Sequence, residues 1–570
     1  MRKELLLLGA FGMLTTATLC AQEFHLQPTP QEYITQKDSV DIPRQYQILS
    51  GNSVQDGPAL PLLRSLMPEE VLGASFRVYI GVKGDKIIKK YQHRIPRKSE
   101  GYFLKIEKDC IVIAGADERG AYYGVQTLAQ LLALDKLPLA EVTDYPDVPY
   151  RGVVEGFYGA PWSQEARIRQ LDFYGRNKMN VYIYGPKDDP YHRTPNWRKP
   201  YPAREGEELK VLVNRAKENN VIFYWAIHPG QDIRWNEEDR SLLLQKFESM
   251  YQLGVRGFAV FFDDISGEGT KADKQAELLN YIDDHFVKVK RDVAPLILCP
   301  TEYNKSWTDV EGGYLTTLGD KLNEGIKVMW TGDMVVATID KSTLDFVNPL
   351  LKRKAYIWWN FPVSDYVQDH LLLGPVYGNG LDIKDDMSAF VSNPMEHAEA
   401  SKISLYSVAD YTWNMENYDS ETSWKHAVRD LMPLHAEYLE IFAAHNSDPG
   451  QNGHRFRREE SVAIQPALSA LLKAYQEKNE IDEDAYRQVA EECRKIIVAA
   501  DGLLASGNEN RPLITEIRPW LIQFKQVGEY GAEVLNMIRL RQQKDAFIGS
   551  YEHARALLVL MGETDAQYKA

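Results

Sequence analysis

The pattern of apolar and polar positions changes character twice along the chain, near residue 147 and near residue 435. Before the first change, β-type apolar runs at 102–106 and 111–114 stand on either side of a polar turn, as in a hairpin. Apolar residues then recur at helical spacing from 121 to 132. Residues 22–147 are therefore predicted to form an α+β domain.

Between residues 148 and 435, short apolar runs alternate with amphipathic helical patterns. The runs are nearly continuous in apolar residues, which is typical of parallel strands buried on both faces. Eight such runs, with helical patterns between most of them, predict a (β/α)8 barrel of the α/β class. They begin near residues 152, 180, 221, 257, 295, 326, 355 and 403, and the last is predicted as a strand over 403–408.

Long helical patterns dominate residues 436–570, where glycine becomes scarce. Ile517, Leu521, Phe524 and Leu535 fall on one face of such a pattern. This part of the chain is predicted to be a helical bundle. The predicted fold is thus a TIM-like barrel with an N-terminal α+β domain and a C-terminal helical bundle.

The first residues have the pattern of an export signal. A basic pair at 2–3 precedes the apolar or small residues 5–19, and Ala21 offers a small residue for cleavage. The apolar run is shorter than the ~20 residues that a membrane span requires. Cys20 raises the alternative of a lipid anchor, but the bulky leucine before it argues against one. Residues 1–21 are predicted to be a signal peptide, and the protein to be periplasmic or secreted, without a membrane span.

Charge and residue spacing limit the partners. The chain has 66 basic and 81 acidic residues, a formal net charge of −15, which repels phosphate backbones and argues against nucleic acid. Cys110, Cys299 and Cys493 lie too far apart to form a disulfide framework or a zinc cluster. No histidine pair has a metal-binding spacing, and His228, directly before a proline, is interpreted as structural. No metal and no cofactor are expected, and nothing in the pattern indicates an oligomeric state.

Polar residues follow the predicted barrel strands, at the end where barrel proteins place their functional groups. Carboxylates handle protons, carboxylates and amides bind hydroxyl groups, and aromatic rings cover the apolar faces of sugars. The mixture found here is therefore typical of a sugar-binding site. It comprises Glu155, Lys187, Asp188, Asp189, His228, Asp232, Asp263, Asp264, Glu302, Tyr303, Asp333, Asn360 and Asp365.

Asp263 and Asp264 are adjacent and follow an apolar run. Two neighbouring ionised carboxylates are costly unless one is protonated or both have partners. A raised pKa on one of them would suit a general acid, while the other stays charged. Adjacent residues at a strand end point in different directions, so they suit two atoms of one substrate. The residues alone leave two alternatives open: helix-capping aspartates, or two metal ligands together with Glu268.

Four motifs occur in order at predicted strand ends: RGVVEGFYGAPW at 151–162, YGPKDDPY at 184–191, FFDDI at 261–265 and WWNFPVSD at 358–365. With these motifs the sequence resembles glycoside hydrolase family 84, the bacterial relatives of protein O-GlcNAcase, over nearly the whole chain. The resemblance implies an exo-acting, retaining β-N-acetylglucosaminidase. Such an enzyme releases terminal β-linked N-acetylglucosamine (GlcNAc) from glycans or glycoproteins, with the substrate's own acetamido group forming an oxazoline intermediate.

The resemblance also implies roles for individual residues. Asp263 would hold and deprotonate the acetamido N–H, Asp264 would act as acid and then as base, and Tyr303 would donate to the acetamido oxygen. The expected substrate-binding residues are Thr331, Val335 and Trp358 around the N-acetyl methyl group, Gly156 through its backbone carbonyl, Tyr158 near the mouth, and Lys187, Asn360, Asp365 and Asn393, which would bind hydroxyl groups or organise Asp263.

Three other functions remain open from the sequence. One is an endo-acting hexosaminidase of hyaluronidase type. Another is a non-catalytic sugar-binding protein, although burying two neighbouring charges gains a lectin nothing. The third is a metal-dependent hydrolase that uses Asp263, Asp264 and Glu268.

Overall fold

A computed structural model describes residues 25–568 of the 570-residue chain. The predicted signal peptide at 1–21 and Cys20 lie outside the described residues. Across residues 25–568, none of the helices combines the length and the apolar character needed to cross a membrane. The described chain forms a six-stranded sheet with helices, then a closed barrel, then a helical region.

The N-terminal part is an α+β unit, as predicted. Its sheet has the strand order β1-β6-β4-β5-β3-β2, and β4 and β5 form the predicted antiparallel hairpin. Asp117 caps the helix that follows, because its side chain accepts a hydrogen bond from the backbone N–H of Gly120 (2.9 Å). The elements are β1 (Glu32–Val40), β2 (Gln47–Ser50), α1 (Ala59–Leu66), β3 (Arg77–Val82), β4 (Tyr102–Ile106), β5 (Cys110–Gly115), α2 (Glu118–Leu132) and β6 (Leu137–Asp144).

The central part is a closed barrel of eight parallel strands, which confirms the predicted fold class. A helix follows each strand except β13, after which residues 360–386 run as a long loop to β14. The elements are β7 (Arg151–Glu155), α3 (Gln164–Arg176), β8 (Val181–Tyr184), α4 (Ala203–Glu218), β9 (Ile222–Ile227), α5 (Glu237–Gln252), β10 (Gly257–Phe261), α6 (Ala272–Ile282), β11 (Ile297–Cys299), α7 (Tyr314–Lys321), β12 (Lys327–Trp330), α8 (Lys341–Leu351), β13 (Ala355–Trp359), β14 (Met387–Ser392) and α9 (Ala398–Trp413).

The predicted eighth strand at 403–408 is wrong. These residues belong to α9, and the eighth strand is β14. Every residue of α9 is buried, so the helix has no polar face to reveal its 3.6-residue period. A short apolar run inside such a helix cannot be distinguished from a buried strand by pattern alone.

Buried ion pairs join the N-terminal unit to the barrel. Arg151, at the start of β7, lies 2.7 Å from Glu100, and Lys178 lies 3.1 Å from Asp144. The indole of Trp413 donates a hydrogen bond to the same Asp144 carboxylate (2.8 Å). Because these charges are buried, loss of any one partner would leave another uncompensated. The contacts fix the N-terminal unit against the end of the barrel at which the strands begin.

The C-terminal part is helical, as predicted. Ile517, Leu521 and Phe524 of its longest helix belong to the same hydrophobic cluster as the outer barrel residues, and Leu535 lies in a separate cluster farther along that helix. The predicted boundaries at 147 and 435 stay predictions. The helices are α10 (Ser420–Leu431), α11 (Ala436–Ala444), α12 (Gln465–Lys478), α13 (Glu483–Ala505), α14 (Arg511–Gln542) and α15 (Ile548–Tyr568).

A carboxyl group connects α14 to the barrel. Glu516 accepts a hydrogen bond from the backbone N–H of Ala400 (2.7 Å), in the first turn of α9. Burial raises the pKa of Glu516 to about 7, against an ordinary value of 4.5. The folded protein therefore favours the neutral carboxyl group.

Glu516→Gln tests this contact, because glutamine keeps the acceptor oxygen and cannot ionise. Wild-type stability should fall as pH rises from about 4.5 to 7, since the unfolded glutamate ionises before the folded one does. The variant escapes this loss and should be more stable above pH 7, by up to about 3 kcal/mol, with no difference near pH 4. Urea unfolding at several pH values measures the difference. Glu529→Gln, on the same helix, is the control, and an equal response in both variants would contradict the assignment.

Candidate active site

A pocket of about 380 Å³ opens at the carboxyl-terminal end of the barrel strands. This volume lies at the small end of the range for ligand sites and suits one compact ligand better than a long chain. All twelve residues predicted from the sequence line it: Gly156, Tyr158, Lys187, Asp263, Asp264, Tyr303, Thr331, Val335, Trp358, Asn360, Asp365 and Asn393.

Asp263 lies just after β10 and is buried. Its Oδ2 accepts a hydrogen bond from Lys187 Nζ (2.9 Å), and His228 Nε2 donates to its backbone carbonyl (2.8 Å) and lies 3.4 Å from Oδ1. Burial alone would raise the pKa of Asp263, but Lys187 and His228 outweigh it, so the pKa is held well below its ordinary value. Asp263 is therefore ionised at neutral pH.

One oxygen of this carboxylate is still available. Asp263 Oδ1 is buried and has no hydrogen-bond partner within residues 25–568. A buried, ionised oxygen without a donor is costly, so such an atom calls for an explanation. An N–H group of a ligand in the pocket would satisfy it.

Asp264 is held differently from its neighbour. Its backbone is left-handed (φ 54°), a conformation that aspartate tolerates better than most residues, and its side chain is exposed. Tyr158 and Tyr303 each donate a phenolic hydrogen bond to it, both at 2.9 Å and to different oxygens. Burial and Asp264 raise the pKa of Tyr303, so its hydroxyl stays protonated and remains a donor.

Trp358 forms one wall of the pocket. Its indole lies against Gly156 so closely that a Cβ added there would be 2.6 Å from the ring. Trp358 Nε1 donates to Asn360 Oδ1 (2.9 Å). The close approach of the indole therefore requires glycine at position 156, and the hydrogen bond to Asn360 holds the indole in its orientation.

Asn360 and Asn393 organise this wall rather than Asp263. Asn360 Nδ2 donates to the carbonyl of Val335 (2.7 Å), and Asn393 Nδ2 donates to Asn360 Oδ1 (3.0 Å). Asn393 Oδ1 in turn accepts from the backbone N–H of Gly156 (3.3 Å). Each carboxamide group uses one of its two N–H bonds in these contacts, which leaves one on each side chain for a ligand.

Asp365 lies in the loop after β13. It accepts a hydrogen bond from the backbone N–H of Tyr158 (2.9 Å), and burial raises the pKa of its carboxyl group. It therefore links the loop after β13 to the loop after β7, which carries Tyr158. Its second oxygen is available to a ligand hydroxyl group.

Several lining residues were missed from the sequence: Cys299, Trp307, Val336, Val363, Tyr366 and His454. Trp307 is exposed and packs edge-on against Tyr303, with ring centroids 4.9 Å apart, and a tryptophan shortly after a strand end could have indicated it from the sequence. His454 packs against Tyr366 and comes from beyond α11. No periodic pattern marks its position.

Other acids at the strand ends have structural roles. Glu155 pairs with Arg167 (2.6 Å), and Asp189 accepts hydrogen bonds from two tyrosines. Glu268 does not line the pocket; its exposed side chain pairs with the exposed Lys271 (2.6 Å). Over the described range 25–568, no group of three His, Cys, Asp or Glu side chains is arranged to hold a metal ion. Glu268 therefore does not complete a ligand set with the two aspartates.

A closed parallel barrel with two adjacent carboxylates, a lysine and an indole wall at its carboxyl-terminal end defines a barrel protein of the glycoside hydrolase class. The sequence profile described as "beta-N-acetylglucosaminidase" matches residues 151–444, and that of the "Bacterial GH84, post-catalytic domain" matches residues 460–569. The profile of "Glycosyl hydrolase family 20, domain 2" matches residues 23–145. The chain belongs to the β-N-acetylglucosaminidases of glycoside hydrolase family 84, which confirms the resemblance seen in the sequence.

Individual relatives agree with this assignment. The chain is similar to the protein O-GlcNAcase of Rattus norvegicus, with 35% identity over 276 residues, which are 47% of this chain and 30% of that protein. It thus spans under a third of the length of this curated relative. The solved structure of CpGH84B superposes with a TM-score of 0.88 at 32% identity, covering 95% of this chain and 97% of that one. The structure of CpGH84D gives a TM-score of 0.86 at 29% identity, covering 95% and 93%.

Lys187→Met tests the central ion pair by leaving the Asp263 carboxylate buried without its cation. We expect the free energy of unfolding at pH 7 to fall by about 3–5 kcal/mol. The ion pair lowers the pKa of Asp263 in the folded protein. Its contribution to the free energy of unfolding is therefore present above the ordinary aspartate pKa and is lost as pH falls through the pKa of the folded protein. The loss of stability in the variant should become smaller toward pH 4, because there the Asp263 of the variant becomes protonated and no longer leaves a buried charge. Urea unfolding from pH 4 to 8 measures it.

Lys271→Met is the matched control, since its partner Glu268 is exposed on the same side of the barrel. It should change stability little at any pH, because exposed ion pairs contribute little. Similar losses in both variants would show that Lys187 acts through packing and not through the charge of Asp263.

Proposed function

We propose that the protein is an exo-acting, retaining β-N-acetylglucosaminidase that removes terminal β-linked GlcNAc with the help of the substrate's acetamido group. One observation carries the proposal: Asp263 is buried and ionised, holds Lys187 with one oxygen, and has a second oxygen without a partner in the described chain. Its membership of a β-N-acetylglucosaminidase family supports the same chemistry.

In the first step, the free Oδ1 of Asp263 accepts the acetamido N–H of the bound sugar. As the proton moves to Asp263, the acetamido oxygen becomes a better nucleophile and forms a bond to the anomeric carbon. The glycosidic C–O bond breaks, and Asp264 gives its proton to the leaving oxygen. The product in the pocket is an oxazoline, so no sugar ester forms on the protein.

In the second step, Asp264 takes a proton from water, and the water oxygen bonds to the anomeric carbon. The oxazoline ring opens, and Asp263 returns the proton to the acetamido nitrogen. Attack from the two faces in turn restores the original β configuration. In the free protein the hydroxyl of Tyr303 donates to Asp264, and with substrate bound this protonated hydroxyl turns to donate to the acetamido oxygen.

The remaining pocket residues suit the sugar itself. The indole of Trp358, on β13, and the side chain of Val335, in the loop after β12, offer apolar surface for the N-acetyl methyl group, and Thr331 lies directly after β12 in the same pocket lining. Asp365 and the spare N–H groups of Asn360 and Asn393 suit hydroxyl groups. The small volume of the pocket supports release of one terminal sugar, and the relatives above lend no support to the hyaluronidase-type alternative.

The pattern of basic and apolar residues at 1–21 supports a further proposal: the protein is exported and acts on extracellular glycans. Cell fractionation with an antibody to the mature chain tests it. Recovery of the protein with its first residues intact in the cytoplasmic fraction would contradict it.

Asp264→Ala removes the proposed acid and base. Turnover of substrates with poor leaving groups should fall by ~10²–10⁴-fold or more, while a nitrophenyl glycoside should lose less in the first step, because its leaving group needs no proton. Added azide needs no general base, so it should restore breakdown of the oxazoline and yield a glycosyl azide. Glu268→Ala is the control and should keep normal kinetics. Equal losses for all leaving groups would place the acid elsewhere.

The acetamido nucleophile is tested by fluorinating the N-acetyl methyl group of the substrate step by step. Each fluorine makes the carbonyl oxygen a poorer nucleophile, so kcat/KM should fall steeply along the series.

Asp263→Asn should lower turnover for every leaving group, because an amide cannot take the acetamido proton. A thiazoline mimic of the intermediate should bind far more tightly than the free sugar.

A carboxylate nucleophile would instead give a nearly flat fluorine series. A sugar ester trapped on Asp263 or Asp264 would also refute the mechanism, although the hydrolysis of GlcNAc linkages would stand.

A further inference from the structure

A second and larger cleft lies beside the pocket. Its volume is about 920 Å³, against about 380 Å³ for the pocket, and Asp365 and Tyr366 line both. One side of this outer cleft is formed by the loop after β13 and by the residues before α9. The other side comes from the helical region, through Trp520 and Gln523 of α14 and Thr564 of α15. A ligand that extends out of the pocket past Asp365 would therefore enter the outer cleft.

Three polar atoms on side chains around the outer cleft are buried without a hydrogen-bond partner in the described residues: Tyr366 Oη, His397 Nε2 and Gln523 Oε1. They belong to three separate segments of the chain. Buried polar atoms are rarely left unpaired, so their concentration around one cleft indicates a missing ligand. The phenol can donate or accept, whereas the carboxamide oxygen only accepts, so a ligand rich in hydroxyl groups would satisfy them.

The charge of the outer cleft limits the chemical class of ligand that it can bind. Asp365 and Glu396 line it, and the described lining residues include no lysine or arginine. Such a surface repels phosphate, sulfate and carboxylate groups, while neutral hydroxyl groups can donate to its carboxylates.

An aromatic side chain also lines the outer cleft. Trp520 is partly exposed, and its Nε1 donates a hydrogen bond to the carbonyl of Asp369 (3.0 Å), which holds the ring in place. Its indole offers an apolar surface of the kind that packs on a sugar face.

We propose that the outer cleft binds the group to which the terminal GlcNAc is linked, and that this group is a neutral oligosaccharide. The inference rests on the proposed function, because it extends the same substrate beyond the pocket. Strand addition to an open sheet edge is one of the recurring ways in which a protein binds an extended polypeptide. The barrel sheet is closed, and the outer cleft is lined by loops and helices, so this mode is not open to a polypeptide there.

The test compares three substrates: an aryl GlcNAc glycoside that fills only the pocket, GlcNAc β-linked to a neutral trisaccharide, and a peptide that carries GlcNAc. Gln523→Leu removes the unpaired acceptor at nearly constant size. We expect the ratio of kcat/KM for the oligosaccharide to kcat/KM for the aryl glycoside to fall by about 3- to 10-fold, the effect of losing one hydrogen bond. Gln542→Leu, at the far end of the same helix, is the matched control and should keep the wild-type ratio.

His397→Phe is a second variant: it keeps a ring, removes the unpaired imidazole nitrogen and should also lower the ratio. Retained turnover of the aryl glycoside shows that each variant is folded. An unchanged ratio in both variants would overturn the inference, and so would a fall confined to the glycopeptide, which would make the occupant a polypeptide. Failure of the proposed function would be seen separately, as a wild-type protein that does not cleave the aryl glycoside at all.

Discussion

The ion pair between Lys187 and the buried Asp263 is the interaction on which the site depends. Lys187, His228 and Asp263 follow β8, β9 and β10, which are neighbours in the barrel. Because parallel strands end on the same side, three consecutive strands deliver a cation, an imidazole and a carboxylate to one point. No single segment contains the cluster. The register of the closed sheet creates it, and the barrel core is what keeps a buried charge within reach of its partner.

The same arrangement separates the two aspartates by environment, although they are adjacent in sequence. Asp263 is buried and paired, so its charge is fixed. Asp264 turns outward through a left-handed backbone and meets two phenolic donors. A backbone conformation of this kind persists only where its surroundings support it. Here it gives two carboxylates different partners, which is the condition for one to hold a charge while the other transfers a proton.

Much of this was predictable from the sequence, because strand ends in a parallel barrel converge and because the motifs at those ends resemble a known family, which implies the roles of individual residues. Once the strands were located, residues after β8, β10 and β13 could be assigned to one pocket without knowing any distance. Individual roles were harder: Glu155 and Asp189 have the same sequence context as Asp263 but are used by internal partners. Only the three-dimensional packing shows whether an acidic side chain at a strand end faces the pocket, as Asp263 does, or pairs with a residue of the protein, as Glu155 does. The strand predicted at 403–408 failed for a related reason, since a fully buried helix has no polar face.

The helical region matters to the site because the barrel lacks a helix after β13. The loop 360–386 has backbone carbonyls that a helix would satisfy internally. Side chains from the C-terminal part of the chain satisfy several of them instead: Arg458 donates to the carbonyls of Pro375 and Tyr377, and Trp520 donates to that of Asp369. This loop carries Asp365, which holds the backbone of Tyr158 and through it one of the two donors to Asp264. The C-terminal helices therefore support the geometry of the pocket as well as one side of the outer cleft, and a barrel without them would retain its carboxylates but not the loop that positions Tyr158.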